Sequence, residues 1–575
     1  MTRRLLWIVP VVLLLGAAGY SGWLAWQVKG DLEAARAAAT DVEATLQDGP
    51  RRERDQALDD LREATSRAHD RTDGAWWGAM TLVPVVGDDA EGVRALTASL
   101  DLLASDGAAP LTRTLDLLDG LTTDGGVDLA VLDKITPQVR KAEAAVAAAA
   151  SEVERLDTSG YAGPVKAQFD EYVDLVTRAD RTLSSAATAT DVLPGMLGAD
   201  GPRDYLLVFQ NNAEIRATGG LPGSWALLHA EDGRLELRQQ GTGGQFGPRE
   251  TPLPMTKEEL AVYDETPGVW FQTSNFIPDF PRAAELWRAR WEENIPEPTL
   301  DGVVALDPVA MSYLLEGTGP VQVADRTLTP DNAVEELLSR PYLELEPAQQ
   351  DVLFAAAARG IFDAMTGDLQ DPVAFVEGLS RAAGEGRFLV APTDAREQEQ
   401  LAGTAVEGAL PGDDGETPHV DIALNDMTMS KLSYYLRYHA DVDAASCQDG
   451  VQRLNASLSL SQAITAAEAA RLPDSVTGIA DYGTRRGVQV VGVLVYGPHG
   501  GTLEDIRIGG KDIPWRGLEI DGRPVSKLYV ELDSTKDVTI SWAMTTGEGQ
   551  TGDVELGMTP SVRRGSNDDT AASAC

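Results

Sequence analysis

Cysteine is nearly absent: Cys447 and Cys575 are the two in 575 residues. That excludes a disulfide scaffold and any Cys-rich zinc or iron–sulfur site. Histidine is almost as scarce. His69, His229, His419, His439 and His499 are the full set, and no two are spaced as an H-x-x-x-H zinc pair. Basic residues are also short, with 48 Lys and Arg against 90 Asp and Glu, a formal charge of −42. Nucleic-acid binding depends on cations that displace counterions from phosphates, so nucleic acid is excluded as a partner. An anionic lipid face is opposed on the same ground. The remaining composition, 43% hydrophobic and 24% charged, is that of globular protein and rules out global disorder. At about 150 residues per domain, the length predicts three or four folded units.

Long apolar runs are missing everywhere but the N-terminus. Residues 5–26 are 22 positions without a charge. At 1.5 Å per residue they reach about 33 Å, enough for a hydrocarbon core of about 30 Å. Trp7 at one end and Trp23 and Trp26 at the other occupy interfacial positions. Arg3 and Arg4 precede the run, so the positive-inside rule keeps the N-terminus cytoplasmic and sends the bulk of the chain out. A cleaved signal peptide is the alternative, with Ala17-Ala18-Gly19 as its cleavage region. Its apolar core would span about 7–15 residues, and this one is longer. The expectation is a single-pass cell-membrane protein whose partner is the bilayer through this helix.

From residue 30 to 198 the pattern is helical. Val165, Phe169, Tyr172, Val176, Ala179 and Leu183 form one stripe; Val93, Leu96, Leu100 and Leu103 form another. Val139, Val146 and Val153 interleave with Ala142, Ala149 and Leu156 as a heptad seam. Turns are expected at Asp48-Gly49-Pro50, Asp106-Gly107 and Asp124-Gly125-Gly126. Strands and helices alternate from 199 to 395, with strands near 204–210, 224–229 and 300–306. Asp307-Pro308, Thr329-Pro330 and Asp371-Pro372 open helices. This implies an α/β layered domain. Residues 396–418 read as a linker, 419–562 as a β-sandwich of short strands, and 563–575 as a disordered tail. The predicted fold class is therefore multidomain: a transmembrane anchor over residues 1–29, an α-helical stalk, a central α/β domain and a C-terminal β-sandwich.

One segment is chemically dense. Asn211-Asn-Ala-Glu-Ile-Arg-Ala-Thr-Gly-Gly-Leu-Pro-Gly223 holds two amides, a carboxylate, a guanidinium, a hydroxyl and three glycines between two strands. Glycines admit close approach of a ligand to backbone N–H groups, and Arg216 offers a planar fork for carboxylate or phosphate. Glu214 either holds Arg216 or contributes to a cation site. The alternative is a structural strand connection in which Arg216 and Glu214 pair with each other. No Gly-Lys-Ser/Thr follows, so a Walker loop is rejected. Elsewhere, Asp301 and Asp307 are about 20 Å apart along a strand, too far for acid/base partnership. His229 reads as structural, Gly223-Ser224-Trp225 lacks the second glycine of a nucleophile elbow, and free thiols are expected at Cys447 and Cys575.

The run Tyr205-Leu-Leu-Val-Phe-Gln-Asn-Asn-Ala-Glu-Ile-Arg-Ala-Thr-Gly-Gly220 resembles the signature of the bacterial and archaeal family catalogued as domain of unknown function 4012. So do Ser274-Asn-Phe-Ile-Pro-Asp-Phe-Pro281, Asp301-Gly-Val-Val-Ala-Leu-Asp-Pro308, Gly319-Pro320-Val321, residues 77–87, and Asn425-Asp426 with Lys431. That family has no settled activity. A more distant similarity is to the LytR-CpsA-Psr envelope proteins, which transfer polyprenyl-pyrophosphate-linked glycans onto peptidoglycan. They share the single anchor, the α/β domain and the order of elements over residues 303–321. In that family arginines and aspartates hold the pyrophosphate and a magnesium ion. This chain departs from the pattern: the paired arginines are reduced to Arg340, and the Asp-x-x-Arg before the helix reads Leu345-Glu-Pro-Ala348.

The resemblance implies a glycan phosphotransferase with Mg2+ as cofactor. Arg216 and Glu214 would be its catalytic groups. Asn211, Asn212, Thr218, Gly219, Gly220, Asn275, Asp279, Arg282 and Arg340 would be its ligand-binding set, and a polyprenyl-linked glycan or cell-wall polymer its partner. The alternative is a non-enzymatic scaffold of envelope polysaccharide assembly. Convergence of Arg216, Arg282 and Arg340 on one cleft favours the first, and dispersal the second.

Overall fold

The computed structural model describes residues 2–48, 51–84, 86–123, 125–478 and 485–575, without the side chains of residues 2–16, 43, 46–48 and 51. The chain divides into two compact units: Met1–Leu121 with Asp128–Pro194, and Thr122–Val127 with Gly195–Cys575. The protein is thus multidomain, helical toward its N-terminus and sheet-rich beyond.

In the first unit, α1 (Thr2–Asp48) and α2 (Arg51–Thr72) form a helical hairpin, with Asp31 held between Arg67 and Arg71. Among the described residues no helix is long and apolar enough to cross a membrane; the side chains of residues 5–16, the first part of the uncharged run, lie outside them. Then come α3 (Ala75–Met80), α4 (Gly87–Leu102) and α5 (Ala108–Leu118). The turn expected at Asp106-Gly107 is not one: a π-helical turn over Leu103–Gly107 carries the helix straight on, and Gly107 keeps a negative φ. Gly49, Pro50 and Asp124 of the other expected turns lie outside the described residues.

Asp128 caps α6 (Leu129–Val153), accepting from the Ala130 and Val131 amides at 2.8 and 3.2 Å. Val139, Ala142, Val146, Ala149 and Val153 are buried on α6, and Val146, Ala149 and Val153 share a core with the stripe of α7 (Gly163–Met196). On α4 the deepest positions are small or polar, not the Val93-Leu96-Leu100-Leu103 stripe. Ser99 donates to the Ala149 carbonyl at 2.8 Å and meets the Tyr172 hydroxyl at 2.7 Å. Small side chains let α4 approach the alanine face of α6 closely.

The second unit opens with a hairpin that sequence reading places in the stalk: β1 (Thr122–Thr123) and β2 (Gly126–Val127). There follow β3 (Arg203–Arg216), β4 (Gly219–Glu231), β5 (Arg234–Thr242), α8 (Lys257–Tyr263), α9 (Thr266–Val269), α10 (Phe280–Asn294), β6 (Gly302–Leu306) and α11 (Pro308–Thr318). A small hairpin of β7 (Val321–Val323) and β8 (Arg326–Leu328) precedes α12 (Ala333–Leu338), α13 (Arg340–Glu344), α14 (Pro347–Thr366), α15 (Pro372–Gly384), β9 (Phe388–Pro392) and α16 (Ala395–Leu401). Among the described residues the sheet has the order β1-β2-β5-β4-β3-β6-β9, with β3 and β6 parallel and the other pairs antiparallel. Asp232 and Gly233, both at positive φ, make the β4–β5 turn.

One sheet face packs Leu206, Val208, Trp225 and Leu227 against Phe271, Phe280, Trp287 and Trp291. Asp307 caps α11, accepting from the Ala310 amide at 2.7 Å, with Pro308 at the first position. Asp371 does the same for α15, whereas Thr329-Pro330 forms a turn and the helix starts later, at Ala333.

Residues 396–418 are not a free linker. They contain part of α16, and the following stretch is tied down by bonds from the Phe280 amide to the Gly408 carbonyl and from the Leu410 amide to Asp279. Beyond them are β10 (His419–Asp426), β11 (Leu436–Gln448), β12 (Val451–Gln462), β13 (Gln489–Tyr496), β14 (Thr502–Ile508), β15 (Lys511–Asp512), β16 (Leu518–Ile520), β17 (Arg523–Leu532), β18 (Val538–Thr545), β19 (Val554–Met558) and β20 (Asp569–Ala571). They form sheets of order β16-β17-β13-β10-β19-β20 and β11-β12-β18-β14-β15, which share a core that includes Val493, Leu528, Leu458 and Ile540.

β13 reads as a continuous apolar run because both of its faces are covered. Val491, Val493 and Val495 face the sandwich core, while Leu494 and Tyr496 face Tyr263 and Ile277. The last residues, expected to be disordered, are ordered instead. β20 pairs with β19, and Cys575 is in a disulfide with Cys447 rather than a free thiol.

Candidate functional site

The dense segment is not a loop. β3 runs through Arg216, the chain turns at Ala217 and Thr218, and β4 starts at Gly219. Register shifts at Phe209/Gln210 and between Asn211 and Ile215 lift this end of β3 off a simple ladder with β4 and send it into the sandwich. Its odd-numbered side chains become anchors. Ile215 joins the sandwich core, Ala217 packs with Tyr263, Ala423 and Leu494, and Ala213 with Leu338 and Val562. The backbone is stitched across as well. The Ile215 amide donates to Ser433 Oγ at 3.1 Å and the Ala217 amide to Asn425 Oδ1 at 3.0 Å, while Thr559 Oγ1 donates to the Ala217 carbonyl at 3.0 Å.

The even-numbered side chains form a buried polar network. Glu214 and Arg216 are each 3% exposed. Arg216 donates to Glu214 Oε1 at 2.7 Å and to the Ile215 and Asp426 carbonyls at 2.9 and 3.1 Å, and its guanidinium lies 5.0 Å from the Phe276 ring centroid. The second Glu214 oxygen accepts from Lys431. Burial opposes the charge on Glu214, but Lys431 and Arg216 outweigh it and hold the carboxyl below its ordinary value. Burial likewise opposes the charge on Lys431, and the Glu214 carboxylate keeps its ammonium above the ordinary range. Asp426 lies beside this group and accepts from the Thr428 amide at 2.7 Å, Ser430 at 3.0 Å and Gln489 at 3.1 Å; burial first, then the Glu214 charge, pushes its carboxyl up.

The amides are engaged in the same way. Asn211 donates to the Tyr342 hydroxyl, and Asn212 donates to Asp307 Oδ2 at 2.8 Å, an oxygen that also accepts from Arg387 at 2.9 Å. Thr218 and Asn275 converge on Gln210 Oε1 at 2.7 and 3.0 Å, and Asn275 reaches the Gly220 carbonyl at 2.8 Å. The glycines serve close packing. A Cβ at Gly220 would stand 2.2 Å from the Asn211 carbonyl carbon, and Gly219 has φ +132°.

Asn211, Asn212, Glu214, Arg216, Thr218, Gly219, Gly220 and Asn275 are therefore brought together, around one another. Asp279 is apart from them, as the cap of α10. Its two oxygens accept from the Arg282 and Leu410 amides at 2.9 and 3.0 Å, and burial pushes its carboxyl up against those bonds. Arg282 is bound by Glu259 at 2.6 Å and Glu285 at 2.8 Å. Arg340, on the surface, is bound by Glu335 and Glu336 at 3.1 and 2.9 Å. Among the described residues the three arginines share no partner.

Magnesium does not fit this donor set. Both Glu214 oxygens face cations, and both Asp279 oxygens face backbone N–H groups. His229 is structural, its Nδ1 2.9 Å from Asp204 Oδ1.

Sequence reasoning missed Gln210, Asp307, Tyr342, Arg387, Asp426 and Lys431 as members of this network. Lys431 is 217 residues from Glu214, so no spacing rule connects them.

No curated protein and no solved structure matches the chain, and no match stands behind the likeness to the LytR-CpsA-Psr proteins. Asn425, Asp426 and Lys431 lie outside the one stretch that a family model covers, and join it through the contacts above. Residues 200–342, a stretch of the second unit, match the model of the family described as protein of unknown function (DUF4012).

Proposed function

We propose that the protein is a single-pass, membrane-anchored, extracytoplasmic component of the cell envelope whose second unit acts as a non-enzymatic scaffold in surface-polysaccharide or cell-wall assembly. One observation carries the scaffold reading. The charged and amide groups of the family motif are buried against partners within the same unit, Glu214 with Arg216 and Lys431 foremost. A phosphate-recognition site needs its guanidinium aimed at a ligand, and this one is aimed at a carboxylate and two carbonyls. The anchor rests on the uncharged run over residues 5–26 behind Arg3 and Arg4. The Cys447–Cys575 disulfide supports an oxidising location outside the cytoplasm.

The test pairs urea melts with polyprenyl-pyrophosphate titrations of the full-length protein and its Arg216→Ala variant. The scaffold reading expects a lowered unfolding midpoint and no affinity that depends on Arg216. A variant as stable as wild type that loses about ten- to a hundredfold in affinity, the worth of a charge-assisted contact, would restore the transferase reading. Carbonate washing tests the anchor separately. The full-length chain should stay in the membrane, and a soluble form beginning near Gly19 would sink that part.

A further inference from the structure

The first unit carries an apolar surface that its own packing does not use. Residues 75–87 are thirteen consecutive positions without a charge. Within them Trp77 is buried, its Nε1 donating to the Ala90 carbonyl at 2.8 Å, and it packs with Leu24 and Val28 of α1. Met80 packs against the same cluster, and that clamp leaves Trp76, Leu82, Val83 and Val86 facing outward. Trp76 is 42% exposed, Leu82 83%, Val83 46% and Val86 49%. On α1, Tyr20, Trp23 and Trp26 are exposed as well. The two sets are contiguous: Trp76 Nε1 donates to Ser21 Oγ at 3.1 Å, and the Trp76 and Tyr20 rings meet edge to face at 5.2 Å.

The level at which they meet decides the occupant. Trp76 contacts Tyr20 and Ser21, five or six residues inside the Trp26 end of the uncharged run, about 8–9 Å along the helix axis. Interfacial aromatics and monotopic apolar faces sit about 5–10 Å into the boundary between headgroups and acyl chains. An α1 that spans the bilayer therefore brings this segment to that boundary, beside the anchor and continuous with it. Acidic Asp73, Asp88 and Asp89 flank the segment, so its attraction to lipid is apolar and aromatic rather than electrostatic.

We propose that the exposed side chains of this segment form a second membrane contact. Trp76, Leu82, Val83 and Val86 insert into the outer-leaflet interface and, with Tyr20, Trp23 and Trp26, form an aromatic collar that fixes the tilt and rotation of the helical unit on the bilayer. This rests on the anchor reading, and the experiment separates the two.

Leu82→Cys and, as reference, Leu111→Cys are labelled with an environment-sensitive nitrobenzoxadiazole probe in the full-length protein, with the native disulfide left oxidised. Leu111 is on the continuous α4–α5 helix, about 36 Å of helix from Gly87. The proteins are reconstituted in phosphatidylcholine vesicles that contain lipids spin-labelled at a shallow acyl position. The Leu82 probe should emit to the blue of the Leu111 probe and be quenched severalfold more strongly, with little change between 0.05 and about 0.5 M salt, where an electrostatic contact would be screened. A Leu82 probe as wet as the reference, in protein that resists carbonate extraction, would overturn the collar and leave the anchor standing. A Leu82 probe that is shielded but not quenched would mean a protein contact and also overturn the collar. Protein extracted by carbonate would overturn both.

Discussion

Replacing Glu214 by Gln exchanges one buried carboxylate oxygen for an amide and leaves Arg216 and Lys431 facing each other's field with no anion between them. Glu214 is 3% exposed and Lys431 has a side chain 15% exposed, so water screens little of the loss. Breaking a buried pair by removing one partner costs about 3–5 kcal/mol, whereas replacing the whole group by apolar residues of similar volume is often neutral. Glu214→Gln should therefore lower the urea midpoint of the second unit by the equivalent of about 3–5 kcal/mol, followed by hydrogen exchange of β3 and β10 peptides. The triple variant Glu214→Leu/Arg216→Met/Lys431→Met should recover most of that loss.

The pH dependence has a definite sign. Glu214 is held below its reference value of 4.5, so its contribution to wild-type stability is present above pH about 4.5 and is lost as pH falls through the lower folded value. The gap between wild type and Glu214→Gln should close on acidification from pH 5 downward. An unchanged midpoint for Glu214→Gln at neutral pH, or a gap that widens in acid, would refute the account of the motif as a buried ionic seam.

Three other perturbations have expected outcomes. Gly220→Ala drives a Cβ to 2.2 Å from the Asn211 carbonyl carbon and 2.4 Å from the Asn212 nitrogen; the backbone must shift, and a melt should show one of the larger single-residue losses, about 2 kcal/mol or more. Asp279→Ala removes the cap of α10 and orphans the Leu410 amide, which should cost about 2 kcal/mol or more. Added Mg2+ should leave the wild-type midpoint in place, and a Mg2+ stabilisation abolished by Asp279→Ala would make that carboxylate a metal ligand. Cys447→Ser opens a loop of 128 residues, worth up to about 5 kcal/mol in the loop-entropy model, and exchange mass spectrometry should show the loosening first in β20 and in β19, the strand it covers.

Much of the fold was legible because it follows local rules. The α6 seam and the α7 stripe show helical spacing, the Asp307-Pro308 and Asp371-Pro372 starts are caps, and the β4–β5 turn has its Asp-Gly pair. The differences share a cause: local composition suggests one state, and a distant partner decides another. Asp106-Gly107 looks like a turn, but the helix passes through it because Ala104 and Gly107 are buried against neighbouring helices. Residues 563–575 look disordered, but β19 and Cys447 give them a partner edge and a tether. The short strands β1 and β2 follow β5 rather than the helices around them in sequence.

The motif itself shows where residue density misleads. Gln210, Asn212, Glu214, Arg216 and Thr218 are polar, while Ala213, Ile215 and Ala217 between them are apolar, a period-two alternation that is the signature of a strand. Read as a half-buried strand, the polar set would face water. In the fold both faces are covered: Ile215 and Ala217 sit in cores shared with the sandwich, while Glu214 and Arg216 sit in a polar interior closed by Asp426 and Lys431 from the sandwich side. A strand buried on both faces can keep charged residues only if opposite charges from elsewhere in the chain meet them. The richest run of functional-group chemistry in the sequence therefore marks the seam between two layers of one unit, and its specificity is for the matching surface of its own chain.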